Sequence, residues 1–143
     1  MYTVIRFTHD TADTEMLVDL GGRLNHAVSG AYDGLGRRGD TFAASVCESD
    51  LWFDHVVAIK AFFASASAVI VEARSLGCDV TFDVAVEPED RKGRNILSVV
   101  CPADLVTLLS EHGVGWEVSV YVGVEGGETL LDGPELKPGK IAA

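Results

Sequence analysis

Cys78-Asp79-Val80-Thr81-Phe82-Asp83-Val84-Ala85-Val86-Glu87 alternates so strictly that it decides the fold class. Successive side chains of an extended chain point to opposite faces. Val80, Phe82, Val84 and Val86 therefore share one side, and Asp79, Thr81, Asp83, Ala85 and Glu87 share the other. The stretch reads as a strand with an apolar face for the core and an acidic face for solvent.

Downstream, Pro88-Glu89-Asp90-Arg91-Lys92-Gly93 is turn chemistry and predicts a hairpin into a second strand over 94–100, with Ile96, Leu97, Val99 and Val100 apolar. Pro102 suits the first position of a helix whose Leu105, Leu108 and Leu109 face inward, and Gly113 ends it. Residues 114–122 alternate again, Trp116, Val118, Val120 and Val122 against Glu117, Ser119 and Tyr121. Upstream, Ser49 or Asp50 caps a helix over 51–63, striped by Trp52, Val56, Ile59 and Phe63. Ala64-Ser65-Ala66-Ser67 continues or kinks it, and residues 68–76 lead to a C-terminal cap at Gly77. Residues 41–48 and 2–8 read as strands. Asp10 or Thr11 caps a helix marked by Met16, Leu17, Leu20 and Leu24, which Gly21-Gly22 is expected to fray or end. From 25 to 40 periodicity vanishes and glycine accumulates, which predicts a long irregular loop.

The expected order is β-α-β-α-β-β-α-β: an α+β two-layer sandwich with a mostly antiparallel sheet and helices on one face. Its last six elements follow the ferredoxin-like split pattern. Residues 1–123 form a single domain in this reading, and 124–143 a turn-rich tail packed on the domain or on a partner.

The chain of 143 residues is 48% apolar, enough for a core without disulfides or metals. Eleven basic against 22 acidic side chains give a formal charge of −11. That balance argues against binding nucleic acid or an anionic membrane surface and for a basic partner. The charge is concentrated, since residues 41–90 hold two basic and nine acidic groups. Cys47, Cys78 and Cys101 have no C-x-x-C spacing and read as small buried hydrophobes of a reducing cytoplasm. Neither a signal peptide nor a membrane-length apolar run is expected.

Arg38-Gly39-Asp40, Leu51-Trp52, the apolar helix to Gly77, the turn at Arg91-Lys92-Gly93, and Leu108-Leu109 through Gly113 to Tyr121 together resemble a family of small uncharacterised bacterial domains. The likeness spans roughly residues 2–122 and rests on apolar and turn residues, without a catalytic signature. Such domains are similar in size and acidity to the immunity proteins of bacterial toxin systems, so the resemblance implies an inhibitor that binds a toxin.

Gly34-Leu35-Gly36-Arg37-Arg38-Gly39 spells G-x-G-x-x-G, yet it precedes a strand where a dinucleotide loop follows one. A ligand-binding or enzymatic use of loop 30–40 is the alternative from another class. Asp79, Asp83 and Asp90-Arg91-Lys92 imitate a metal-dependent nuclease, but the lysine sits in a turn and the net charge repels nucleic acid. His9, His26, His55 and His112 fall in different elements and are expected to be solvated or capping. Asp54-His55 are adjacent and do not face each other on a helix. No catalytic residue, metal site or cofactor is assigned. The partner-binding candidates are Glu48, Asp50 and Asp54 near the start of the long helix, Asp79, Asp83 and Glu87 on the wet strand face, and Glu117 with Tyr121 on the last strand. The expectation is an acidic cytoplasmic protein-binding domain, an immunity or antitoxin-type inhibitor of a basic toxin. A homodimer joined through the tail or a strand edge is the third reading.

Overall fold

A computed structural model of the chain describes residues 1–10, 14–28, 32–35, 40–88 and 98–121, with 32–35 described in backbone only. The elements are β1 (Tyr2–Thr8), α1 (Thr14–Ala27), β2 (Tyr32–Leu35), β3 (Thr41–Glu48), α2 (Trp52–Ser75), β4 (Asp79–Val86), α3 (Ala103–His112) and β5 (Gly115–Val120). The five strands form one sheet in the order β2-β3-β1-β4-β5. β1 is antiparallel to both β3 and β4, β2 is antiparallel to β3, and β5 runs parallel to β4. The fold is α+β in two layers with a mostly antiparallel sheet, as the sequence implies.

The split unit is β3-α2-β4. Both strands oppose β1, so they run the same way and the first strand of the chain is inserted between them. α2 lies over β3, β1 and β4, with α1 beside it over β2 and β3, and α3 on its other flank. The core is the layer between. Ile5, Phe7, Phe42, Val80 and Phe82 point up from the sheet, and Ile59, Phe62, Phe63 and Ile70 point down from α2, all buried. Phe82 sits under Phe63 and Phe62, with ring centroids 5.3 and 5.9 Å away.

Several elements depart from the sequence reading, each for a physical reason. α1 runs through Gly21-Gly22 to Ala27, because Leu20, Gly21 and Leu24 are buried against the core and that packing outweighs about 1 kcal/mol per glycine. The expected loop contains a fourth antiparallel partner, β2, which pairs with β3; the rest of 29–39 lies outside the described residues, including Gly36 to Gly39 of the glycine motif. α2 is one helix across Ala64-Ser65-Ala66-Ser67, with Ala66 buried. It closes at Gly77, φ +91°, where Cys78 N donates to Ala73 O and Gly77 N to Arg74 O, a Schellman cap that needs the left-handed residue. By length and composition α2 is also apolar enough to cross a membrane, contrary to the expectation of no such run, but its inner side is the centre of the core. The hairpin is not formed as expected. β4 has β1 on one edge and β5 on the other, so no edge remains for 94–100. Residues 98–100 are irregular and the remainder of that segment is outside the described set.

Candidate functional site

Strand direction gathers the candidate residues. β3, β4 and β5 all run opposite to β1, so their C-terminal ends meet at one end of the sheet together with the start of β1 and of α2. Glu48 ends β3, Glu87 follows β4, Tyr121 follows β5, Tyr2 begins β1, and Asp50 and Asp54 enter α2. Pairing fixes the faces. Tyr2 stands opposite Glu48 on one side and Ala85 on the other, on the sheet face away from the helices. Tyr121 N bonds to Val86 O, which continues the β4–β5 ladder and brings the two phenols together, Tyr2 Oη donating to Tyr121 Oη at 3.4 Å. The Tyr2 hydroxyl is pushed up to about 12 by that hydrogen bond first, then by burial, then by the negative charges of Tyr121, Glu87 and Asp83.

Beside Tyr2 the β1–β3 register shifts between Thr3 and Val4, leaving Val46 as an extra residue on β3. The irregularity opens an open-mouthed depression of about 430 Å³ lined by Tyr2, Val4, Ser45, Val46, Cys47 and Glu48, among others. It offers a carboxylate, a phenol and two aliphatic walls, a combination suited to the stem and charge of a lysine or arginine side chain. The Cys47 thiol is pushed up by burial and then by Asp54, so it is not primed as a nucleophile.

The middle of the same face is not the wet acidic surface that alternation suggests. Asp83 is 6% exposed and Ala85 1%. Ser119 Oγ donates to Asp83 at 2.8 Å, and Arg6 Nη2 reaches Glu117 at 2.6 Å and Asp83 at 3.6 Å. This is a three-strand knot of one cation, two carboxylates and a hydroxyl. Asp83 is therefore a structural carboxylate satisfied from within, and Glu117 is half committed to the same arginine. Asp79 lies at the opposite end of β4, 3.5 Å from Arg74, and does not join the cluster. Asp54 accepts from Ser49 Oγ at 2.6 Å, and the same hydroxyl accepts from Leu51 N, so Ser49 organises the entry to α2. The eight candidates thus divide: Glu48, Asp50, Asp54, Glu87 and Tyr121 share one end, Asp83 and Glu117 form the central knot, and Asp79 stands apart.

Tyr2, Arg6 and Ser119 escaped the sequence reading. Arg6 had a signal, being the one cation within the alternation of the first strand, but its partners follow only once β1 lies beside β4. His26 is exposed at the end of α1, and the other three histidines are tied to structure. His9 donates to Leu76 O at the end of α2, and His112 contacts Leu108 O within α3, consistent with capping. His55 corrects the expectation of solvated side chains, for it is fully buried. Its Nε2–H donates to Ser49 O at 2.8 Å, because a carbonyl only accepts, which leaves Nδ1 to accept from Thr3 Oγ1, also at 2.8 Å. The ring pins β1 to the start of α2 beneath Trp52, 5.7 Å away. Among the described residues, no three of His, Cys, Asp and Glu converge on a point that would hold a metal ion. Comparison with protein-family models, with curated proteins and with solved structures gave no match.

Proposed function

We propose that the chain is a non-enzymatic, acidic protein-binding domain of the cytoplasm, of the immunity or antitoxin type, that captures a basic toxin at the tyrosine end of its sheet. The observation that carries the reading is the Tyr2–Tyr121 pair, set beside the depression at Glu48 and facing the carboxylate of Glu87. Aromatic anchors within a rim of charge are the usual centre of binding energy, and the net charge of −11 would draw a basic partner to them. Glu48, Asp50, Asp54 and Glu87 supply that rim. Asp83 supports the surface from beneath.

The test is co-purification with the protein encoded by the neighbouring gene, followed by titration calorimetry at two salt concentrations. Charge reversal by Glu48→Lys and by Glu87→Lys is expected to weaken the complex roughly tenfold each at low salt, and less at high salt. Tyr121→Ala is expected to weaken it at either. A complex indifferent to all three changes would remove this end of the sheet from the interface, and a neighbour that never binds would remove the toxin-inhibitor reading.

A further inference from the structure

The register shift that opens the depression beside Tyr2 also gives it a direction. Val4 stands opposite Ser45 and Tyr2 opposite Glu48, so the hollow is a trough along the two strands, with Val46, the extra residue, between its ends. On β1 the ends are two residues apart, about 7 Å at the rise of an antiparallel strand. One end is small and mostly aliphatic, Val4 with the Ser45 hydroxyl. The other holds the phenol of Tyr2 and the carboxylate of Glu48. Tyr2, Val4 and Val46 are half-buried, whereas Ser45 and Glu48 stand exposed at the rim. No residue that lines the trough is basic. The next cation along β1, Arg6, is held by Glu117 and Asp83. Among the described residues no cation pairs with Glu48.

We propose that this trough seats one arginine side chain of the partner protein, its stem along Val4 and Val46 and its guanidinium between the Tyr2 ring and the Glu48 carboxylate. Charge complementarity sets the sign of the occupant, because the one charge in the trough is negative and unpaired. Length sets its reach. An extended arginine, four bonds of about 1.5 Å from Cβ to the guanidinium carbon, covers most of the distance between the ends. The volume of about 430 Å³ leaves room for bridging water. Shape and hydration choose arginine over lysine. A planar guanidinium can lie on an aromatic ring and still turn an N–H edge to a carboxylate, whereas an ammonium is compact and strongly hydrated and keeps its water in an open-mouthed hollow. Tyr2 is ordered in advance for this role, since its hydroxyl is tied to Tyr121. The assignment deepens the protein-binding reading and rests on it for the source of the arginine.

The experiment is an amide NMR titration of the full chain with N-acetyl-arginine methylamide, with the lysine analogue and with free arginine. The capped arginine is expected to shift the amides of Tyr2, Val46 and Glu48 with a dissociation constant of about 1–10 mM. The lysine analogue should bind about two- to fivefold more weakly, the worth of an exposed cation–π contact. Glu48→Gln is expected to weaken the capped arginine roughly tenfold and leave the rest of the spectrum unchanged, since the side chain is exposed. Tyr2→Leu should erase the preference for arginine over lysine. The proposal is overturned by no shift at these amides, by equal affinity for the lysine analogue, by binding that Glu48→Gln leaves intact, or by a preference that survives Tyr2→Leu. Free arginine binding roughly tenfold more tightly than the capped form would overturn the protein source in favour of a small-molecule ligand. Failure of the neighbour-encoded protein to bind would leave these shifts in place, and their absence would leave that complex measurable, so the two readings fail separately.

Discussion

The two outer surfaces of the sandwich obey opposite rules. On the sheet side polar groups are bound to one another: Arg6 to Asp83 and Glu117, Ser119 to Asp83, Tyr2 to Tyr121. On the helix side the exposed stripe of α2, which holds Phe53, Val57 and Val71, is apolar and its charges are drawn off to α1 and α3. The sheet side is therefore part of what holds the fold together, since taking a member from a desolvated polar group leaves the others unsatisfied. The helix side contributes little, because side chains left in water gain nothing on folding. A surface that does not stabilise its own chain can change without unfolding it.

The layer between the two surfaces sets the scale for any test of that contrast. Phe82→Ala, which removes a fully buried ring beneath Phe62 and Phe63, is expected to destabilise by about 3–5 kcal/mol in urea unfolding. Next comes Arg6→Met, which strands Asp83. We expect a loss of about 2–3 kcal/mol, largely recovered when Asp83→Leu is added, because an apolar pair replaces the ionic one. If Arg6→Met costs no more than a surface change, the two faces do not differ as described.

A smaller effect probes the tyrosine end. Tyr2 holds its proton more tightly folded than unfolded, so its contribution is complete below pH 10 and is lost as pH climbs from 10 toward about 12. An ultraviolet phenolate titration should show one tyrosine ionising near 12, and Tyr121→Phe should bring it down toward 10. The smallest effect belongs to the helix side. Phe53→Ser should change unfolding by no more than about 0.5 kcal/mol. A larger loss would show that the stripe serves the fold after all.

Much of this architecture was legible before any coordinates. β1, β3 and the long helix each bury one side, and burial writes period 2 or 3.6 into the residues, whereas β4 buries both faces toward its end and the apolar side of β5 leaves Val118 and Val120 exposed. β2 left no such mark, because Tyr32-Asp33-Gly34-Leu35 is four residues long and owes its conformation to pairing with β3. Pairing choice was equally hidden. The alternation of β4 says that it has neighbours but not which ones, and β5 took the edge that a hairpin to 94–100 was expected to fill. The candidate site followed the same division. Asp83 and Glu117 could be put on one face from their own strands, but the burial of Asp83 depends on Arg6, more than seventy residues away along the chain. The outer stripe of α2 is written in the same letters, but a helix apolar on two sides has the pattern of one that is simply well buried.

The insertion of β1 between β3 and β4 also has a consequence for how the chain reaches this state. β1 is the centre of the sheet, yet its second neighbour is not made until residues 79–86 have been synthesised. Until then, one full row of its backbone donors and acceptors lacks its final partner, and the strand must wait through α1, β2, β3 and the whole of α2. Closing such distant pairings is slow for a domain of this size. The step that commits the chain is thus the arrival of β4, whose Val80 and Phe82 land opposite Phe7 and Ile5 and bring the ladder and the core together at the same moment.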